Sequence, residues 1–167
     1  MPEAKAIVVI SGKGGVGKSI VTSTLVHVLS EKGLKVAAID ADIDNPNLAD
    51  FIGVKGDVKI IADGKDRKLV PVEKNGVKVF SMSLIDSSSP IGLVGSTSGD
   101  LIRDVVKLGE WGSVDYFCLD LPAGAGDEMR ASFETLSDSL VGCVVVAQPA
   151  HLVTAERVLK LLILNEI

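Results

Sequence analysis

Gly12-Lys13-Gly14-Gly15-Val16-Gly17-Lys18-Ser19 is the stretch that decides how this 167-residue chain is read. It matches Gly-x-x-x-x-Gly-Lys-Ser/Thr and lies between a strand-like and a helix-like segment, the context this motif requires. Before it, Ala6–Ile10 is short, β-branched and without polar alternation, as a buried parallel strand is expected to be. After it, Ile20, Val21, Leu25, Val28 and Leu29 recur at helical spacing over Lys18–Leu29, and Gly33 supplies a C-terminal cap. The glycines let successive backbone N–H groups converge on an anion, with no Cβ to block its approach. The dipole of the following helix adds positive potential at the same place. Lys18 is expected to reach the β- and γ-phosphates of a nucleotide and the Ser19 hydroxyl to bind Mg²⁺. A bare glycine turn would not need Gly-Lys-Ser.

Outward from the loop, strand-length apolar runs alternate with segments of helical period. Lys35–Ile39 reads as a second buried strand, Pro46 to Gly53 as a short helix, and Val58–Ala62, Leu69–Val72 and Val77–Met82 as strands. Asp63-Gly64 and Asn75-Gly76 are the expected turns between these strands. A Ser/Gly-rich loop from Asp86 to Gly99 leads into a helix ending near Gly109. Tyr116–Leu119 and Val141–Ala147 complete the strands, with helices at Glu128 to Leu136 and Thr154 to Ile167. The alternation predicts an α/β fold, three layers with a mostly parallel sheet and right-handed crossovers, in one domain over residues 1–167. The last helix carries Val158, Leu159, Leu161, Leu162, Ile163, Leu164 and Ile167 on most of its sides. Such a helix wants neighbours, so a C-terminal portion missing from this chain, or a partner, is expected to cover it.

Composition narrows the function classes. Hydrophobic residues at 47% and charged residues at 23% exclude a disordered tail, a coiled coil and a collagen-like repeat. A net charge of −5 repels phosphate polymers, so no nucleic-acid partner is expected without a local basic patch. No apolar run approaches the ~20 residues of a membrane span, and the first residues lack a signal-peptide pattern. Cys118 and Cys143 form no disulfide framework or metal spacing, which points to a reducing, cytoplasmic setting.

Two acidic positions close buried strands: Asp40-Ala41-Asp42 and Asp120-Leu121-Pro122. Carboxylates at the C-terminal ends of parallel strands face the crevice where open α/β sheets bind ligands. There Asp42 and Asp120 would stand near the phosphates, where Mg²⁺ needs oxygen ligands. Turn or helix capping is the alternative for each, and Asp40 suits support of the loop better than chemistry. Lys13, a second lysine in the glycine loop, is more than the general motif requires; taken alone it also fits a solvated surface lysine.

The segment Lys13-Gly14-Gly15-Val16-Gly17-Lys18-Ser19 resembles the deviant Walker A of the MinD/ParA/nitrogenase-iron-protein class of P-loop ATPases. Asp40-Ala41-Asp42-Ile43, with Pro46 after it, is similar to that class's second acidic motif. Trp111-Gly112-Ser113-Val114-Asp115-Tyr116, running into Asp120-Leu121-Pro122-Ala123-Gly124-Ala125-Gly126-Asp127, resembles the signature of the Mrp/ApbC branch, ATPases that carry or assemble iron–sulfur clusters. The resemblance implies a Mg²⁺-dependent ATPase working as a cytoplasmic homodimer and delivering clusters to acceptor proteins. Gly12, Lys13, Gly14, Gly15, Val16, Gly17, Lys18, Ser19 and Ile20 would bind the nucleotide. Lys13 would reach a partner's nucleotide, Asp42 would orient the attacking water, and Ser19, Asp42 and Asp120 would serve Mg²⁺. Lys13, Lys18 and Asp42 would thus carry the catalysis, with Gly124, Gly126 and Asp127 in the mobile second switch.

Departures from the pattern are specific. Ile20 replaces a threonine, Ala123 and Ala125 replace a proline and a threonine, and Asp44-Asn45-Pro46-Asn47 differs from the branch's usual Tyr-Gly-Pro-Ser. The Cys-Pro-x-Cys pair that holds a bridging [4Fe–4S] cluster would lie beyond this chain, as would the segment that reads adenine. A MinD- or ParA-like positioning switch, which needs no cluster, is the alternative. Other residues read as structural: Cys118 and Cys143 as buried small hydrophobes, His27 and His151 as lacking plausible ligand partners, and Trp111 as packing at a helix–strand corner. Lys65-Asp66-Arg67-Lys68 reads as a solvated hairpin tip, and Gly95-Ser96-Thr97-Ser98-Gly99 as a helix N-cap or a nucleotide-contacting loop.

Overall fold

A computed structural model describes residues 4–63, 66–86 and 97–164 of the chain. Its strands are β1 (Lys5–Ser11), β2 (Val36–Asp40), β3 (Lys59–Asp63), β4 (Asp66–Val70), β5 (Val72–Lys74), β6 (Val77–Phe80), β7 (Tyr116–Ala123) and β8 (Leu140–Val145). Its helices are α1 (Lys18–Glu31), α2 (Leu48–Ile52), α3 (Ser98–Leu108), α4 (Asp127–Leu136) and α5 (Leu152–Leu164). Six strands form one sheet in the order β5-β6-β2-β7-β1-β8, parallel except for the β5–β6 hairpin.

This order dictates the layers. The crossovers from β1 to β2 and from β2 to β6 run one way along the sheet, whereas those from β6 to β7 and from β7 to β8 run the other way. Right-handed connections running in opposite directions put their helices on opposite faces. Accordingly α1 packs with α2, and α3 packs with α4. The direction reverses between β1 and β7, so the crevice beyond their C-terminal ends is the switch point where such sheets bind ligands. Both strands are apolar on both sides: Val8, Val9, Ile10, Phe117, Leu119 and Leu121 are buried.

The α/β three-layer expectation holds, and the differences are local. Leu69–Val72 is not one strand, because Pro71 lacks the N–H to continue a ladder. The chain there passes from β4, which pairs with β3 in a separate two-stranded sheet, to β5 on the edge of the main sheet. The strand expected to reach Met82 ends at Phe80, and Met82–Leu84 forms a 3-10 turn. Thr97 caps α3 with a capping box: its hydroxyl accepts from the Asp100 N–H at 3.2 Å, and the Asp100 carboxylate accepts from the Thr97 N–H at 3.4 Å. Trp111 sits at the corner the sequence suggested, its Nε1 3.2 Å from the Val105 and Val106 carbonyls and its ring edge-on to Phe117. Gly33, at φ 79°, ends α1 as expected. Gly64 and Lys65 of the hairpin tip, Gly95-Ser96, most of the Asp86–Gly99 loop and Ile167 lie outside the described residues.

At the far edge, α5 buries Ala155, Val158 and Leu162 against the sheet. Leu159, Leu161, Ile163 and Leu164 remain exposed beside Val141 and Val144 of the edge strand β8. Cys118 is buried, but Cys143, on that edge strand, is only half-buried, contrary to expectation. Burial pushes the Cys118 thiol up to about 12 and the Cys143 thiol up to about 11, so neither is a ready thiolate.

Candidate functional site

The phosphate loop leaves β1 at Ser11, whose hydroxyl donates to the Lys13 carbonyl at 2.8 Å and tightens the first turn. Gly15 and Gly17 have φ of 76° and 97°, left-handed values that glycine adopts without strain. Beyond their chain neighbours, no atom comes within 4 Å of where a Cβ would stand at Gly14, Gly15 or Gly17, so the loop is unobstructed there. Gly12 is the opposite case. A Cβ there would overlap the backbone of Thr154 in α5, so glycine is required by close packing.

Helix α1 begins at Lys18, which is buried. One residue on, the Ser19 hydroxyl donates to Asp120 Oδ2 at 2.5 Å. One turn further, the buried Thr22 hydroxyl donates to Asp120 Oδ1 at 3.0 Å and also lies 3.1 Å from the Lys18 carbonyl. The α1 face against β7 therefore presents two hydroxyls to one carboxylate. Asp120 is 1% exposed. Burial raises its pKa, and the Ser19 bond, the Lys18 charge and the Thr22 bond pull it back. Thr22 was not read as a site residue, although its place three residues after Ser19 puts it on the same helix face.

Asp40 and Asp120 are register partners on β2 and β7. Asp40 is fully buried and holds the loop after β2. Its Oδ2 accepts from the Leu48 N–H and the Ser81 hydroxyl, both at 3.0 Å, and its Oδ1 accepts from the Asp42 N–H at 3.2 Å. Burial nonetheless pushes its carboxyl up to about 6. This matches the supporting role expected for Asp40 and adds Ser81, which sequence reading did not mark. Asp42 is half-buried, and its Oδ1 accepts from the Asn45 N–H three residues on, at 3.1 Å. Its charge reaches Asp120 electrostatically.

The second switch leaves β7 with Gly124 at φ 101°, and its N–H donates to the Ser11 carbonyl at 2.9 Å. Gly126 precedes α4, whose first turn carries Asp127 and Glu128. Ile20 is 54% exposed and supplies only its carbonyl, to Ser23 and Thr24. Lys13 is exposed, and its Nζ lies 3.0 Å from His151 Nε2, a hydrogen-bond contact that spacing along the chain does not reveal.

The donor set suits Mg²⁺ with a triphosphate. It offers an open glycine cradle, a buried lysine, and a hydroxyl already placed against a desolvated carboxylate, all hard oxygen or cationic groups. It does not suit an iron–sulfur cluster. Cys118 and Cys143 lie on β7 and β8 with β1 between them, and no group of three His, Cys, Asp or Glu residues is placed to hold a metal among the described residues. No helix among the described residues is long and apolar enough to cross a membrane.

A strand, a glycine loop and a helix, with a carboxylate on the neighbouring strand bonded to the loop's serine, define a P-loop nucleotide-binding domain. Residues 3–165 match the ParA family described as NUBPL iron-transfer P-loop NTPase, and the chain belongs to that family. It is 36% identical over 154 residues to the iron-sulfur cluster carrier protein of Deinococcus radiodurans, covering 89% of this chain and 42% of that one. The carrier of the same name from Methanocaldococcus jannaschii is 35% identical over 145 residues, covering 86% and 49%. The chain thus spans about half the length of the curated relatives it matches. Among solved structures it is similar to a nucleotide-binding protein of Archaeoglobus fulgidus in complex with ADP (TM-score 0.71, 30% identity, 98% of this chain and 63% of that one). It also resembles the septum site-determining protein MinD of Pyrococcus horikoshii with Mg-ADP (TM-score 0.64, 26% identity, 95% and 65%).

Proposed function

We propose that this chain is the nucleotide-handling part of a Mg²⁺-dependent ATPase that acts in iron–sulfur cluster carriage, the cluster being cargo rather than a resident group. The observation that carries the reading is the Ser19–Asp120–Thr22 arrangement beside Lys18 at the β1/β7 switch point. Ser19 and Asp120 would hold Mg²⁺, which supplies charge neutralisation at the phosphates. The loop N–H groups and Lys18 bind the phosphoryl oxygens and favour the charge that builds on them as the terminal phosphoryl is transferred. Asp42 positions water, its Oδ1 already held by the Asn45 N–H. Lys13 reaches the nucleotide of a second copy, so a homodimer is the working form. Slow turnover fits a device in which nucleotide state sets shape. The names of the carrier relatives support the cargo, and a cytoplasmic location accords with it.

The test is ATP turnover with and without Mg²⁺, for the wild type and Lys18→Ala, alongside anaerobic reconstitution with iron and sulfide of the protein carried to its natural stop codon. Mg²⁺-dependent turnover that Lys18→Ala abolishes, with a cluster bound between two copies, supports the reading. ATP-dependent association without any cluster overturns the carrier part and leaves a positioning switch. Absence of turnover overturns the ATPase.

A further inference from the structure

Lys13 and His151 are 138 positions apart, yet their side chains meet. The turn Pro149–His151 follows β8 and leads into α5 at the same end of the sheet as the phosphate loop. The two segments are interlocked. Gly12 lies so close to Thr154 that no Cβ fits between them, and the Thr154 hydroxyl donates to the His151 carbonyl at 2.7 Å. The backbone carrying the imidazole is thereby fixed beside the residue that precedes Lys13. An ammonium has only donors, so in this contact His151 Nε2 accepts from Lys13 Nζ.

We infer that His151 is a positioning residue: it retains Lys13 on its own protomer until nucleotide and a second copy draw it away. The inference rests on the reading that Lys13 serves a partner's nucleotide. In that reading Lys13 leaves Nε2 to reach a phosphate on another chain, so the contact opposes association. The pair is solvent-exposed, and exposed hydrogen bonds carry modest net weight. Its removal therefore shifts the ATP requirement by a small factor, about two- to fivefold.

The experiment titrates Mg²⁺-ATP against dimer formation of the 167-residue chain by sedimentation velocity. It compares the wild type with His151→Ala, His151→Gln and Lys13→Ala, with thermal unfolding run on each. His151→Ala is expected to dimerise at about two- to fivefold lower ATP with its thermal midpoint unchanged. His151→Gln restores an acceptor and is expected to behave as the wild type. An ATP requirement that is unchanged or raised in His151→Ala overturns the proposal, as does a Gln variant that follows Ala. If Lys13→Ala dimerises like the wild type, the cross-protomer role of Lys13 fails, and the proposal falls with it. A deficient Lys13→Ala beside an unshifted His151→Ala refutes the holding role alone.

Discussion

Thr22→Val tests the carboxylate arrangement most directly. Valine has nearly the shape of threonine, so the change removes the hydroxyl with little change in packing. Asp120 Oδ1 then loses its 3.0 Å donor at a site that is 1% exposed. Hydrogen bonds to charged groups carry about 1.5–3 kcal/mol, so a loss of about 2 kcal/mol of stability is expected at neutral pH. For a chain of this size a urea slope of about 2 kcal/mol per molar places the midpoint about 1 M lower. The loss has a pH signature. The Thr22 bond is one of the contacts pulling Asp120's raised pKa down, so its removal raises that pKa further. The difference between wild type and variant therefore shrinks as pH falls and the carboxyl becomes protonated. Thr22→Ser keeps the donor and should recover most of the loss. Urea unfolding at pH 5 and pH 7.5 reads all of this. A Thr22→Val midpoint within 0.2 M of the wild type at pH 7.5, by order of magnitude, would refute the reasoning.

Three further outcomes are expected. Gly12→Ala forces its Cβ into the backbone of Thr154, so it should destabilise the fold by about 2 kcal/mol or more and abolish nucleotide binding, measured by unfolding and by titration with a fluorescent ATP analogue. Asp40, raised from 3.8 to about 6 by burial, contributes stability that is fully present below pH 4 and is lost as pH rises through 6. Against Asp40→Asn, the wild type should therefore lose about 3 kcal/mol between pH 4 and pH 7.5, and parallel pH–stability curves would contradict this. Trp111→Phe removes the donor to the Val105 and Val106 carbonyls and should cost about 1–2 kcal/mol, read by urea unfolding followed by circular dichroism.

What could be read from the sequence was what local spacing controls. The strand, loop and helix around Gly12–Ser19 are contiguous, and their chemistry follows from residue types alone. The acids were visible because a carboxylate interrupts each apolar run; β2 does end at Asp40, whereas β7, expected to stop before Asp120, carries it inside the strand and continues to Ala123. Partners brought together by topology were not visible. Thr22 meets Asp120 across 98 positions, Ser81 meets Asp40 across 41, and Lys13 meets His151 across 138. Thr22, Ser81 and His151 each look like an ordinary polar residue until the strand order places them. Pro71 is an instructive miss, because a single absent N–H divides one apolar run between two sheets.

Trp111, the chain's only tryptophan, packs 4% exposed against Phe117 at the start of β7, whereas Asp120 and the glycine loop lie toward the opposite ends of the strands. The molecule thus carries an optical gauge of its own integrity, kept apart from the chemistry. Its emission will be blue-shifted in the folded chain, indifferent to nucleotide, and red-shifted when the core opens. A variant that loses ATP turnover while keeping the native spectrum has lost function, and one whose spectrum moves has lost the fold.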